Sequence, residues 1–310
     1  MLHTAQAVGS LGDLLHEIKS IRQKWTKGWN PREEIWFRGQ ARLSDTLVPT
    51  LYRTNSTANG FHKKECSLLS DFRLRAKSLT PTSHLSEVDK WFWYVTARHH
   101  GLPSRLLDWS DNVLIALFFA LESSWNSVDK TTWSEHRNST HYSATLPEPP
   151  TIWVLEAASL NRVSQGIIAT LSFETQEKCL PLYYPDSATG CIRPNKQNRL
   201  PIAMYPARLN ARVHSQHSYF TLHGTDQRPI EHLASRIKKP RGGISLARIP
   251  IKVSRIPYLI DDLLLCGLTH ASIYADLDSI AKTVKWSFME QGALNGKEAH
   301  PKTSSPTQTP

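Results

Sequence analysis

The chain has 310 residues, 40% hydrophobic and 21% charged, with 37 Lys and Arg against 27 Asp and Glu for a formal net charge of +10. This describes an ordinary globular protein of one large or two ordinary domains, with no apolar run long enough to span a membrane. The N-terminus lacks the basic start and apolar stretch of a signal peptide, and the four cysteines (Cys66, Cys179, Cys191, Cys266) show no CxxC pairing, so a protein of the reducing cytoplasm is expected.

The positive charge favours polyanions and steers anionic ligands inward. It is spread through the chain, and only Arg236 to Arg241 (RIKKPR) form a run. Such a run reads as a solvated loop or as a nucleic-acid contact.

Residues 8–26 have Leu11, Leu14, Leu15, Ile18 and Ile21 at helical spacing, with Ser10 as a cap. Residues 34–40 (EIWFRGQ) read as a buried strand in which Arg38 follows three large apolar residues and Gly39 breaks the run. An arginine at the edge of a core needs an anion or acceptors, which a salt bridge or a ligand would supply. Residues 47–53 read as extended. Helical spacing returns over 63–77 and from about 87 to 100, closed by Gly101 and Pro103.

Residues 99–121 (HHGLPSRLLDWSDNVLIALFFAL) hold the most apolar stretch of the chain. After a short extended piece over 105–109, Val113 to Leu121 leave no polar face, which predicts a helix in the middle of the molecule, capped by Ser110 or Asp111. Polar groups at its mouth (His99, Arg105, Asp108, Ser110) mark a place to look for a site. Arg105 and Asp108 would also pair with each other or with His99. His99-His100 lacks a third ligand at helical spacing, so no metal site is read. A Ser-His-Asp hydrolase would need a Gly-x-Ser-x-Gly elbow that is absent.

Residues 122–150 are polar and aperiodic and read as an exposed insertion. Residues 151–156 (TIWVLE) are a strand, whereas 157–200 carry little pattern; Cys179 and Cys191 could approach each other there. Residues 202–205 start an extended piece. Residues 211–223 alternate, placing Tyr219 on one face and Arg212, Gln216 and Phe220 on the other. Residues 247–253 alternate too, with Pro250 arguing for an edge strand. A helix over 256–266 ends at Gly267, 272–274 (SIY) read as a short strand, and Asp276 caps a last helix from 277 to about 288. The tail from 289 to 310 reads as disordered. Together these predict an α+β fold in one domain of mixed or antiparallel strands around a buried central helix. Its bounds are 33–288, after an N-terminal helical segment at 1–32.

Four motifs in this order, WFRGQ, ARHHGLPSRLLDWSDNVLIALFFA, ARVHSQHSYFTLHG and IYADLDSIAK, resemble the FRG-domain family, whose Phe-Arg-Gly is matched by Phe37, Arg38 and Gly39. The resemblance runs from about residue 33 to 285. One departure is Ser218, where the family commonly has Gly. FRG domains occur in bacterial and phage proteins, and the association implies a role in a defence or toxin system with an antitoxin or similar partner.

The chain also distantly resembles ADP-ribosyltransferases, which hold NAD with an early Arg or His, then a Ser or Thr before an Ala-x-x-Phe-Ala helix, then a late Glu. Arg38, Ser110 before Ala116, Phe119 and Ala120, and Gln216 stand in that order. The resemblance implies NAD as substrate and a protein or nucleic-acid acceptor of ADP-ribose. In it Arg38 and Gly39 meet the pyrophosphate, Ser110 the ribose, and Trp109, Tyr219 or Phe220 the nicotinamide. Gln216 would lie near the anomeric carbon. Its neutrality leaves the developing cation without a charge, a role Glu231 or Asp108 could take. The other reading is a non-catalytic module that binds nucleotide or nucleic acid through its basic surface.

Overall fold

A computed structural model describes residues 2–25, 34–53, 60–76, 90–125, 146–172, 179–185, 192, 195–205, 215–236 and 243–285. Its frame is a mixed seven-stranded sheet of β1 (His3–Thr4), β2 (Ile35–Gln40), β3 (Leu106–Ser110), β4 (Thr151–Glu156), β5 (Ile202–Met204), β6 (Ser218–Leu222) and β7 (Leu246–Pro250). The order across the sheet is β1-β7-β4-β2-β3-β6-β5, antiparallel except for β1 beside β7. The predicted α+β class and single domain hold.

Both faces of this sheet are covered, so its strands are apolar on both sides. On one face Trp36, Trp109, Trp153, Leu155 and Tyr219 pack against helices α6 (Ala157–Gln165) and α7 (Ile230–Arg236). The opposite face carries two separate cores. Phe37, Ile152, Val154 and Ile249 meet α1 (Leu11–Trp25), α5 (Val113–Trp125) and α8 (Ile256–Leu265). Leu106, Phe220 and Leu222 meet α3 (Phe61–Ala76) and α4 (Lys90–His99). The N-terminal helix is therefore part of the main core: Leu14 and Ile21 are buried in it, and the backbone amide of Asp13 donates to Ser10 Oγ at 3.1 Å, the cap its sequence called for.

Helix α5 lies where its composition requires, with Ile115, Ala116, Leu117, Phe118, Ala120 and Leu121 all buried. It seats on the sheet at Gly39. A Cβ there would stand 1.9 Å from the carbonyl oxygen of Ala116 and 2.5 Å from the amide of Ala120, so only glycine lets the helix backbone come this close. The cap is Asn112, whose Oδ1 accepts from the amide of Leu114 at 2.9 Å, rather than Ser110 or Asp111.

Several local expectations give way to tertiary or capping interactions. Residues 47–53 do not run extended: Thr50–Arg53 form a helical turn, α2, after Pro49, held by Arg53 Nε donating to the carbonyl of Val48 at 2.8 Å. Residues 272–274 are not a strand. They end α9 (His270–Tyr274), where Thr269 and Ser272 cap each other reciprocally and override the strand preference of Ile and Tyr. Among the described residues of the 211–223 stretch (215–223), Ser218–Leu222 are strand and Ser215 to His217 form a turn with His217 at φ 46°; residues 211–214, Arg212 among them, lie outside the described residues. Pro250 sits on an internal strand, β7, but its carbonyl and missing amide face β1, whose pairing is interrupted between Thr4 and Val8. The last helix, α10 (Leu277–Lys285), has the predicted cap, the amide of Ser279 donating to Asp276 Oδ1. The bulk of the expected insertion (126–145), the basic residues 237–241, Cys191 and the tail lie outside the described residues. No helix among the described residues is long and apolar enough to cross a membrane.

Candidate functional site

The two cores on one sheet face do not meet. Between α5 and α4 the strands present Asp108, Ser110 and Ser218 in place of apolar side chains, and Gly39 adds none. Strands β2 and β3 pair only at Phe37 and Ser110, then part. The result is a cleft of about 430 Å³, within the range of small-ligand sites.

Arg38 reaches into the parting of the strands. Its Nη1 donates to the main-chain oxygen of Asp108 at 2.6 Å and stands 3.8 Å from that residue's carboxylate. Arg98, from the last turn of α4, donates to the Asp108 carboxylate at 2.6 Å and to Thr50 Oγ1 at 2.9 Å. Both arginines are largely buried, yet the Nε of each has no hydrogen-bond partner among the described residues. Across the cleft Gln216 is 8% exposed and its Nε2 also lacks a partner among the described residues. Three residues of this one cleft thus each hold a buried donor that is unsatisfied among the described residues.

Electrostatics agree. Burial pulls the Arg38 guanidinium down to about 10, with Asp108 opposing and Arg98 and Arg53 adding to the effect, so it stays charged at neutral pH. Burial would raise the Asp108 carboxyl, but the pair of guanidiniums holds it below the usual carboxylate value. Asp108 raises Arg98 in turn. Arg53 and His99 line the cleft beside Asp45, which leaves an excess of positive charge.

The residues singled out in the sequence divide sharply. Arg38, Gly39, His99, Asp108, Ser110 and Gln216 all line this cleft. The Ser110 hydroxyl is engaged, donating to the carbonyl of Gln216 at 3.0 Å and accepting from the amide of Asn112 at 3.1 Å, so it ties the late turn to the strand. Trp109 borders the cleft, but its indole is buried toward the opposite face, where Nε1 donates to Thr221. Tyr219 stacks on Trp36 on that same face, with ring centroids 4.9 Å apart, and donates to Asp111 at 2.9 Å. Phe220 is fully buried and meets the ring of His99 edge-on.

Two further candidates have other partners. Glu231 lies outside the cleft and accepts from the amide of Leu47 at 3.2 Å. Arg105 is fully buried and pairs with Glu65 at 2.7 Å, not with Asp108 or His99; its remaining donors reach the carbonyls of His223 and Tyr183. Burial opposes its charge, but Glu65 and its neighbours hold it above the usual arginine value, as expected of a fully bonded internal ion pair. Arg98, Phe119 and Tyr274 line the cleft without having been singled out as site residues. Among the described residues no group of three or more His, Cys, Asp or Glu is placed to hold a metal ion.

Residues 33–129 match the family model of the FRG domain. The chain carries an FRG domain. The matched stretch includes β2, β3 and α5, and with them Arg38, Gly39, Arg98, Asp108 and Ser110; Gln216 and Tyr274 come from the part of the chain beyond it. In the FRG domain the Phe-Arg-Gly step has a physical logic, since Phe37 enters the core, Arg38 fills the parted strands and Gly39 seats the helix. Neither the curated proteins nor the solved structures yield a match to the chain.

Proposed function

We propose that this FRG-domain protein binds a phosphate-bearing nucleotide in the cleft, with NAD the foremost candidate, in the manner of an ADP-ribosyltransferase-like effector. The observation that carries the reading is that Arg38, Arg98 and Gln216, each holding a buried donor unpartnered among the described residues, line one cavity. Phosphate oxygens are strong acceptors, and a guanidinium binds them through two N–H groups at once. The chain order Arg38, Ser110, Gln216 also parallels the order of NAD-holding groups in that class, and all three line the same cleft.

The part of that chemistry with least support is fast transfer. A transferase needs a free carboxylate near the developing cation. Gln216 is neutral, Glu231 lies elsewhere, Asp45 accepts from the amide of Arg42, and Asp108 is held between guanidiniums. Binding with slow turnover is therefore the favoured reading. It places the ligand's phosphates at Arg38 and Arg98 and its far end toward Gln216.

Calorimetric titration with NAD, ADP-ribose and pyrophosphate tests it, alongside labelled NAD incubated with cell lysate. Wild-type protein is expected to bind all three ligands. Arg38→Ala removes the binding, and Arg38→Lys, which keeps the charge but not the planar fork, restores only part of it. Folded wild-type protein that gives no heat with any of the three overturns the reading.

A further inference from the structure

The cleft has an aromatic end that the arginines leave unused. Helix α5 contributes Phe119 and α9 contributes Tyr274, with ring centroids 6.1 Å apart and planes at 89°. Both rings are only partly buried, whereas the neighbouring Phe118 is wholly inside the core. Tyr274 is held firmly. Its hydroxyl donates to Glu122 Oε1 at 2.7 Å, and the same oxygen lies 3.8 Å from His270 Nε2. The His270 ring runs nearly parallel to Tyr274, at 14° and 6.4 Å.

The turn that carries Gln216 is tied to this helix, because Ser215 Oγ donates to the carbonyl of Ile273 at 2.9 Å. The unpartnered amide of Gln216 and the ring of Tyr274 thus belong to one wall of the cleft. A positioned π-surface on the wall that also holds a buried, unpartnered N–H donor suits a planar heterocycle with an acceptor at its edge. An aliphatic chain would leave the donor unsatisfied.

We infer that Tyr274, backed by Phe119, is the seat for the planar ring of the bound nucleotide, with Gln216 donating to an acceptor on that ring. Tyr274 is then a specificity-determining residue, and Glu122 and His270 are its positioning residues. The inference rests on the nucleotide reading of the cleft, since the phosphates must sit at Arg38 for the ring to reach this end.

Titration of NAD and of inorganic pyrophosphate against wild type, Tyr274→Ala, Tyr274→Leu and Tyr274→Phe separates the two claims, with melting curves to verify folding. Loss of a stacking ring weakens NAD by about tenfold or more in the Ala and Leu variants and leaves pyrophosphate unchanged, while Tyr274→Phe keeps most of the NAD affinity. The Leu variant retains apolar volume, so it reports on the ring if the Ala variant fails to fold. If folded Tyr274→Leu binds NAD as wild type does, the aromatic seat is wrong and the phosphate site stands. If wild type binds neither ligand, the cleft reading itself falls.

Discussion

Replacing Gly39 by Ala tests whether the sheet and the central helix truly touch backbone to backbone. The added Cβ would sit 1.9 Å from the carbonyl oxygen and 3.0 Å from the carbonyl carbon of Ala116, and 2.5 Å from the amide nitrogen of Ala120. None of these atoms is the end of a flexible side chain. To restore an ordinary contact of 3.4 Å, α5 would have to retreat by about 1.5 Å from the strand. That movement disturbs the core formed by Phe37, Ile152 and Val154 and shifts one wall of the cleft.

Without such a contact, Gly→Ala in a strand would stabilise the fold by about 0.5–1 kcal/mol through the unfolded chain. Overpacking against an unyielding backbone opposes this with about 3 kcal/mol or more. The two accounts therefore differ in sign. Urea denaturation of Gly39→Ala is expected to show the midpoint falling, and a thermal scan a drop of roughly 3–5 °C for a chain of this size. Because the atoms met are main-chain atoms, pairing the change with Ala116→Gly should not rescue it, and the double-mutant cycle should show little coupling. A Gly39→Ala protein that melts at or above the wild-type temperature would falsify the close approach.

Two other outcomes follow from the same geometry. His223 is fully buried, and burial, with Arg105 adding, pulls its imidazole down to about 3, while the unfolded chain takes up its proton near the ordinary value of 6.5. The stability due to keeping it neutral is thus fully present above pH 6.5 and lost as pH falls toward 3, by up to about 1.4 kcal/mol per pH unit. Denaturant midpoints measured from pH 7 to 4.5, above the main carboxylate range, should decline for wild type and flatten for His223→Leu; equal slopes would contradict the assignment. In the cleft, Gln216→Glu supplies the missing carboxylate, and NAD hydrolysis should rise by on the order of a hundredfold in a continuous nicotinamide-release assay. An unchanged rate with intact NAD binding would place the anomeric carbon away from this residue.

What the sequence makes legible is whatever depends on neighbours along the chain. The apolar run from Val113 to Leu121 predicts a buried helix, Thr151–Glu156 predict a strand, and Ser10 and Asp276 cap as their positions suggest. The place of Tyr274 beside the cleft is not legible, because Ser-Ile-Tyr has the preferences of a strand and a two-residue capping box decides otherwise. Strand alternation tells which residues share a face but not which face holds the cleft, so the sequence does not show that the rings of Trp109 and Tyr219 pack on the opposite side. Glu231 meets Leu47 across 184 positions, a separation at which no local pattern speaks.

The arginines carry this furthest. Arg105 stands in the motif beside the site and Arg38 within a strand, and both are basic residues bordering apolar segments. Folding gives Arg105 a buried carboxylate and main-chain oxygens for its guanidinium. It gives Arg38 a single main-chain oxygen, a carboxylate already bonded to Arg98, and a buried Nε with no partner among the described residues. The first is internal structure because its donors are used up within the fold. The second keeps an Nε that the fold leaves without a partner among the described residues, and that difference is fixed by Glu65 and Asp108, the carboxylates that reach each guanidinium in space.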